Sequence, residues 1–297
     1  MFVCYADNDY IRIRSLFKVD GEKLLKRDKR KKKQPEQEFN AYYESLFEER
    51  WPALLEALKL PAAPAPYNET LLRPYYLDEA SIAAALALDV QPRHRVLDMC
   101  AAPGGKSLII ASKLQHPGSL IANDRSASRR ARLKQVLKDH LTPDQAALVT
   151  VTGHDAARWG LYEQNIYDRI LLDAPCSSER HVIQSAKHLS RWGAGRTRRL
   201  AAQAWAMLAA GFTALKPGGI LLYSTCALSP LENDGVIDRL AEKRSGLWEP
   251  VSVLQADGLI NEGVIACTPE PARRGVHILP DTSAGRGPLY ISGIRKL

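Results

Sequence analysis

An α/β fold, with a mostly parallel sheet covered by helices on both faces, is what this sequence predicts. Three observations carry the prediction. From residue 95 onward, short apolar runs alternate with longer segments of helical spacing. The first run, Val96-Leu97-Asp98, feeds a small-residue turn, Cys100-Ala101-Ala102-Pro103-Gly104-Gly105, after which Leu108-Ile109-Ile110-Ala111 opens a helix. Strand, glycine turn, helix is the first unit of a nucleotide-type domain, which holds its ligand at the carboxyl end of the strand. Finally, the chain has 297 residues, 45% of them hydrophobic and 25% charged, enough to bury a proper core in one large domain or two smaller ones.

In chain order, residues 1–25 mix short apolar and charged stretches with no assignable role. Lys26 to Lys33 is a basic run, either a solvated arm or a non-specific phosphate contact. Residues 36–59 have helical spacing at Phe39, Tyr42, Tyr43, Leu46, Phe47, Trp51, Leu54, Leu55 and Leu58, and Pro52 divides the stretch into two helices. The aromatics there read as packing rather than base-stacking. Pro61-Ala62-Ala63-Pro64-Ala65-Pro66 is a stiff linker. It sets the expected boundary between a basic, mainly helical segment over 1–70 and an α/β domain over 71–297. Leu77 to Leu88 is a helix with Asp78 as its N-cap. Strands are expected near 95–98, 119–123, 147–151, 168–173 and 219–224, and helices near 105–115, 126–140, 197–214 and 230–244. Lys216-Pro217-Gly218-Gly219 is a tight turn into the last of these strands. Gly287 to Ser292 is β-like and suggests a late antiparallel strand.

The 98–107 turn admits several readings. Lys106-Ser107 fits the end of a phosphate-binding P-loop, but Cys100 stands where its first glycine belongs. A dinucleotide fingerprint needs G-x-G-x-x-G, which Ala102-Pro103-Gly104-Gly105 does not supply. S-adenosylmethionine has no pyrophosphate and does not require the full fingerprint, and the helix N-terminus beneath the turn favours a carboxylate. A plain structural turn is the fourth reading. Asp124 ends the second strand, placed either for ribose hydroxyls or to cap the helix at 126. Asp173-Ala174-Pro175-Cys176 ends the fourth strand and Cys226 follows the fifth. Two cysteines at neighbouring strand ends, without metal spacing, suit thiol chemistry. Taken alone, Asp155 is a loop aspartate and Arg129 sits on a helix face.

Cys100 to Lys106, Asp173-Ala174-Pro175-Cys176-Ser177 and Ser224-Thr225-Cys226 together resemble the cofactor loop and two cysteine motifs of the NSUN (Sun-domain) RNA cytosine-5 methyltransferases, in that family's order. The resemblance covers about residues 70–297. Ser178-Glu179-Arg180-His181 and Gly287-Pro288-Leu289-Tyr290 are similar to its mitochondrial-type branch. It implies a Rossmann-like class I S-adenosylmethionine-dependent fold, with 71–297 as the catalytic domain. It implies cofactor contacts from Cys100, Ala101, Ala102, Pro103, Gly104, Gly105, Lys106, Asp124, Arg129, Asp155 and Asp173. It also implies Cys226 as nucleophile toward carbon 6 of cytosine, Cys176 in product release and Asp173 against the target ring, with Lys106 a candidate for lowering the thiol pKa. DNA cytosine-5 methyltransferases place the nucleophile in the Pro-Cys motif, here Cys176, and Glu232-Asn233-Asp234 only partly echoes their Glu-Asn-Val. A DNA enzyme and a non-enzymatic RNA-binding or assembly factor are therefore the alternatives, the latter disfavoured by intact Lys106, Asp173, Cys176 and Cys226. Cys4, Cys100 and Cys267 read as structural. His181 reads as a substrate contact or a structural hydrogen bonder, and Arg191 to Arg199 as phosphate contacts or a solvated helix start.

The formal net charge of +8 suits a polyanionic partner. Under the resemblance that partner is rRNA or tRNA, with or without a protein that presents it. Five scattered cysteines without a C-x-x-C pair argue against zinc and thioredoxin-type chemistry, and no metal is expected. An odd number of thiols without a secretory signal suggests a reducing compartment, the cytoplasm or an organellar matrix, and Asp7 and Asp9 argue against a transit peptide. No apolar run approaches membrane-spanning length, so no membrane partner is expected.

Overall fold

The computed structural model describes residues 35–62, 64–252 and 266–297. Cys4 and the basic run at 26–33 lie outside the described residues. Two helices lead, α1 (Pro35–Phe47) and α2 (Trp51–Lys59), joined by a 3-10 turn over Glu48–Arg50. Pro52 falls in the first turn of α2, where a missing N–H costs nothing, so it starts the second helix as expected. The expected linker runs into a hairpin, β1 (Ala65–Tyr67) antiparallel to β2 (Tyr75–Leu77). Proline at a short edge strand is tolerated, which is why a Pro-rich composition concealed it. Asp78 caps α3 (Glu79–Leu86), its side chain accepting from Ala80 N–H at 2.8 Å.

The parallel strands are β3 (Arg95–Asp98), β4 (Ser119–Asn123), β5 (Val149–Thr152), β6 (Tyr167–Asp173) and β7 (Leu215–Thr225), ordered β5-β4-β3-β6-β7. The later strands are β8 (Trp248–Val251), β9 (Pro269–Pro271), β10 (Val276–Ile278) and β11 (Leu289–Lys296). The expected late strand is β11, antiparallel to β7; β10 and β8 share its other edge, and β9 lies beyond β10. The last parallel strand starts earlier than expected. Tyr167 pairs with Leu215 and Arg169 with Ile220, so the turn 216–219 loops out of a continuing strand.

The helices are α4 (Gly105–Lys113), α5 (Ala127–His140), α6 (Pro143–Ala147), α7 (Glu179–Ile183), α8 (Ala186–Leu189), α9 (Ala194–Ala214) and α10 (Asp234–Lys243). Successive strand residues face opposite sides. Val96, Leu171 and Leu222 pack with Leu108, Ile110 and Leu133 of α4 and α5, whereas Leu97, Ile170 and Leu221 pack with Leu208 of α9 and Ile237 of α10. The sheet is thus covered on both faces.

The expected boundary at residue 70 needs correction, because the compact unit begins at Pro35. Phe39, Tyr43, Trp51, Leu54 and Leu58 form one buried cluster with Val182, Trp192, Leu228 and Leu279. Each large apolar side chain so buried contributes roughly 1.5–3 kcal/mol, which welds α1 and α2 to the loops after β6 and β7. These aromatics pack, as their spacing suggested.

Candidate active site

Parallel pairing brings the carboxyl ends of the strands to one edge: Asp98 is level with Ala122 and Leu171, and Asp173 with Ser224. The turn after β3 is braced from β4. Ala101 N–H donates to Asn123 O at 2.8 Å, and Asn123 Nδ2 donates to Met99 O at 3.0 Å. Gly104 has φ +121°, and a Cβ there would meet Leu133 and Val136 at 3.1 Å, so both conformation and packing against α5 require glycine. Asp98 is buried, with Oδ2 accepting from Ser107 Oγ at 2.6 Å and Oδ1 left without a partner. Burial pushes its pKa up to about 7.

Asp124 Oδ1 accepts from Ser126 N–H at 2.9 Å, and it is Ser126 that caps α5. Asp124 Oδ2 is buried without a hydrogen bond, 3.3 Å from Arg129 Nη1 in an ion pair that is poorly aligned for one. Arg129 Nη2 donates to Ala102 O at 2.5 Å, so this arginine braces the glycine turn. Asp155 caps the 3-10 turn Ala156–Leu161, accepting from Ala157 N–H at 3.1 Å.

A cavity of about 500 Å³ opens beside the turn, and Cys100, Lys106, Arg129, Asp173, Cys176 and Cys226 all line it. Asp124 and Asp155 are not in its wall, and Ala101 and Ala102 are buried in the turn. Lys106 Nζ donates to Asp173 Oδ2 at 2.7 Å, and Ser224 Oγ donates to Asp173 Oδ1 at 2.9 Å. Burial works against the charge on Lys106, yet the Asp173 carboxylate holds its pKa above the ordinary amine value.

Cys176 Sγ lies 3.0 Å from Cys226 Sγ, and Ser178 Oγ lies 3.4 Å from Cys226 Sγ. The hydrogen bond with Cys176, helped by Ser178, lowers the Cys226 pKa below the ordinary thiol value against the effect of burial. The same bond, together with burial, pushes Cys176 well up. The contact thus favours ionisation of Cys226 over that of Cys176. Lys106, the candidate activating cation, is paired with Asp173 and also feels the charge of Cys226. Burial also raises Cys100, whose Sγ lies 3.9 Å from Met207 Sδ, and pushes Cys267 up to about 12, in keeping with inert structural thiols.

Two acids to which the sequence assigned no role hold this arrangement. Glu179, fully buried, accepts from the hydroxyls of Tyr43 and Ser177 and from Leu228 N–H at 2.9 Å, which ties α1 to the loops after β6 and β7. Glu232 Oε2 accepts from Ser177 N–H at 2.9 Å; its Oε1 is unpartnered, and burial pushes its pKa up to about 7. Thr225 Oγ1 donates to Asn233 Oδ1 at 2.6 Å and Asn233 Nδ2 to Ala227 O at 2.9 Å, closing the turn around Cys226. Ser178 is held at φ 56°, a left-handed conformation that persists where its surroundings over-determine it. The adjacency of Glu179 to the Pro-Cys motif was the one local clue to any of this.

Five parallel strands closed by an antiparallel one, with paired thiols at the carboxyl edge, define a Rossmann-like methyltransferase fold. Residues 85–291 match the profile of the family described as 16S rRNA methyltransferase RsmB/F, and the chain belongs to that family. It is 41% identical over 234 residues to the 5-cytosine rRNA methyltransferase NSUN4 of Xenopus tropicalis, which covers 76% of this chain and 57% of that protein. It is 34% identical to the tRNA (cytosine(49)-C(5))-methyltransferase of Pyrococcus abyssi, over 74% of this chain and 69% of the other. Among solved structures, NSun6 from Pyrococcus horikoshii, with SFG, superposes with a TM-score of 0.61 at 24% identity, covering 77% of this chain and 54% of that one. A methyltransferase homolog from the same organism gives a TM-score of 0.66 at 22% identity, covering 87% and 94%. Among the described residues, no helix is long and apolar enough to cross a membrane.

Proposed function

We propose that this chain is an S-adenosylmethionine-dependent RNA cytosine-5 methyltransferase acting on rRNA or tRNA. The observation that carries the reading is the thiol pair at 3.0 Å, its contact lowering the Cys226 pKa, in one cavity with Asp173 and Lys106. The relatives' names support RNA and cytosine as the substrate class. The site also fits the cofactor. Asp124 Oδ2, beside the glycine turn, is a buried acceptor without a hydrogen bond. Asp124 would take the ribose hydroxyls, Asp155 the adenine side, and residues 100–106 the rest of the molecule. When bound, the cofactor supplies an electrophilic methyl group.

The chain's own residues do the remainder. Carbon 5 of cytosine is a poor nucleophile. Addition of the Cys226 thiolate to carbon 6 forms a C–S bond and pushes the ring's 5,6 electron pair onto carbon 5, which can then take the methyl group. Loss of the carbon-5 proton and departure of Cys226 restore the ring. Asp173, fixed by Lys106 and Ser224, meets the polar edge of the base, and Cys176 assists release. Carbon 6 is not approachable in a stacked helix, so the target is presented from a loop or flipped out.

The test is incubation with S-adenosylmethionine and total rRNA or tRNA, followed by mapping of 5-methylcytosine. Wild type should modify a defined cytosine and Cys226→Ala none. Full turnover in Cys226→Ala would overturn the nucleophile assignment; adduct formation that instead depends on Cys176 would indicate the DNA-enzyme arrangement.

A further inference from the structure

Arg180 lies four positions after Cys176 and lines the same cavity. Its Nη2 donates to Gly285 O at 2.7 Å and more loosely to Ala57 O at 3.5 Å, but Nε and Nη1 are buried and meet no acceptor. Arg169 shows how this fold treats a structural arginine: it donates to the carbonyls of Leu88, Asp89 and Asp168 and forms an ion pair with Asp89 at 3.2 Å. Arg180 engages carbonyls through Nη2 alone, and no carboxylate lies within ion-pair distance of it among the described residues. Asp78, the acid whose charge it feels, is occupied by Ala80 N–H and Gly287 N–H.

The other cations of this cavity are satisfied: Lys106 by Asp173 and Arg129 by Asp124. A half-buried guanidinium with unmet donors costs stability in the free protein, because donors removed from water are expensive to leave unmade. A ligand that brings an anion supplies what is missing, and a phosphate suits the planar fork of an arginine.

We propose that Arg180 is the docking group for a phosphate flanking the target cytidine, which fixes the nucleotide over the thiol pair. This rests on the RNA reading above, but not on the methyl-transfer chemistry, and its test reads binding. The probe is a single-stranded RNA oligonucleotide carrying one cytosine, alongside versions with a neutral methylphosphonate linkage on the 5′ or the 3′ side of that cytidine.

Arg180→Gln should weaken binding of the natural oligonucleotide by roughly tenfold or more. It should also lower the slope of log affinity against log salt by about 0.7, the share of one phosphate on a single strand. One of the two methylphosphonates should weaken wild type by a similar factor and leave Arg180→Gln unchanged. Arg180→Lys should recover part of the affinity. S-adenosylmethionine affinity, measured by calorimetry, should not move, which separates docking from general disruption. Multiplying losses for variant and methylphosphonate, or wild-type affinity in Arg180→Gln, would overturn the proposal. If Arg180→Gln does not fold, undiminished wild-type binding of both methylphosphonate probes would overturn it equally. Coupling without any methylation would leave the docking role standing and remove the enzymatic reading instead.

Discussion

Cys176 Sγ stands 3.0 Å from Cys226 Sγ, although 50 positions separate them in the chain. The contact exists because Asp173 and Ser224 are level neighbours on β6 and β7, so the loops that follow leave the sheet side by side. It acts oppositely on the two thiols, lowering the pKa of Cys226 and raising that of Cys176.

The inequality gives the first expectation. Cys176→Ala removes the contact, so the Cys226 pKa should rise and the pH profile of adduct formation should move to higher pH. Release should slow as well, and a protein–RNA adduct should accumulate on a denaturing gel. Cys226→Ala should yield none. A Cys176→Ala profile that superposes on wild type would show that the contact does not tune the nucleophile.

The second concerns the cofactor. Asp124→Ala deletes a buried acceptor whose Oδ2 has no hydrogen bond within the protein. Hydrogen bonds to charged groups contribute about 1.5–3 kcal/mol, so S-adenosylmethionine affinity should fall roughly tenfold to a hundredfold. Calorimetry that returned the wild-type constant would reject the ribose assignment.

The third is a pH dependence of stability. Burial raises the Glu232 carboxyl from 4.5 to about 7. A raised carboxyl binds its proton more tightly in the folded chain than in the unfolded one. Its contribution is therefore fully present below about 4.5 and is lost as pH rises to about 7. At about 1.4 kcal/mol per pKa unit, the loss has a ceiling of ~3 kcal/mol. Glu232→Gln removes the charge and keeps an acceptor for Ser177 N–H. Denaturant melts should show its stability gaining on wild type between pH 5 and pH 8 (roughly the titration range). A constant difference across that range would mean that Glu232 titrates normally.

The fourth tests the brace from α1. Tyr43→Phe takes one hydroxyl away from the buried Glu179 carboxylate and should destabilise the fold by ~1–3 kcal/mol. Because Glu179 also holds Ser177 and Leu228, on either side of the thiols, kcat should fall while KM for S-adenosylmethionine stays put. A fall in stability with unaltered kcat would confine Tyr43 to packing.

What could be read in the sequence was local. Val96 to Asp98, the glycine turn and α4 carry their pattern within a dozen residues, and the two cysteine motifs carry their strands with them. The parallel core was accordingly legible, and Lys106, Asp173, Cys176 and Cys226 do meet in one cavity. What escaped depends on distance along the chain. Tyr43 reaches Glu179 across 136 positions, and no periodicity around residue 43 announces a partner that far away. The linker reading failed at Ala65–Tyr67 for a related reason: proline suggested an unpaired segment, and pairing with Tyr75–Leu77 is visible only in three dimensions. Arg129 illustrates the limit at short range. Its helix position was evident, but its hold on the Ala102 carbonyl depends on how α5 packs over the turn.

The seating of α1 on Glu179 bears on how this chain could be dissected. A fragment trimmed to the sheet and its flanking helices would look self-sufficient by any motif inventory, since glycine turn, Pro-Cys and Ser-Thr-Cys would all be retained. It would nonetheless lack the hydroxyl of Tyr43 and the aromatic cushion beneath α7. The smallest unit that carries the motifs is therefore smaller than the smallest unit that carries their geometry, and chimeras cut at the proline-rich stretch would inherit the first without the second.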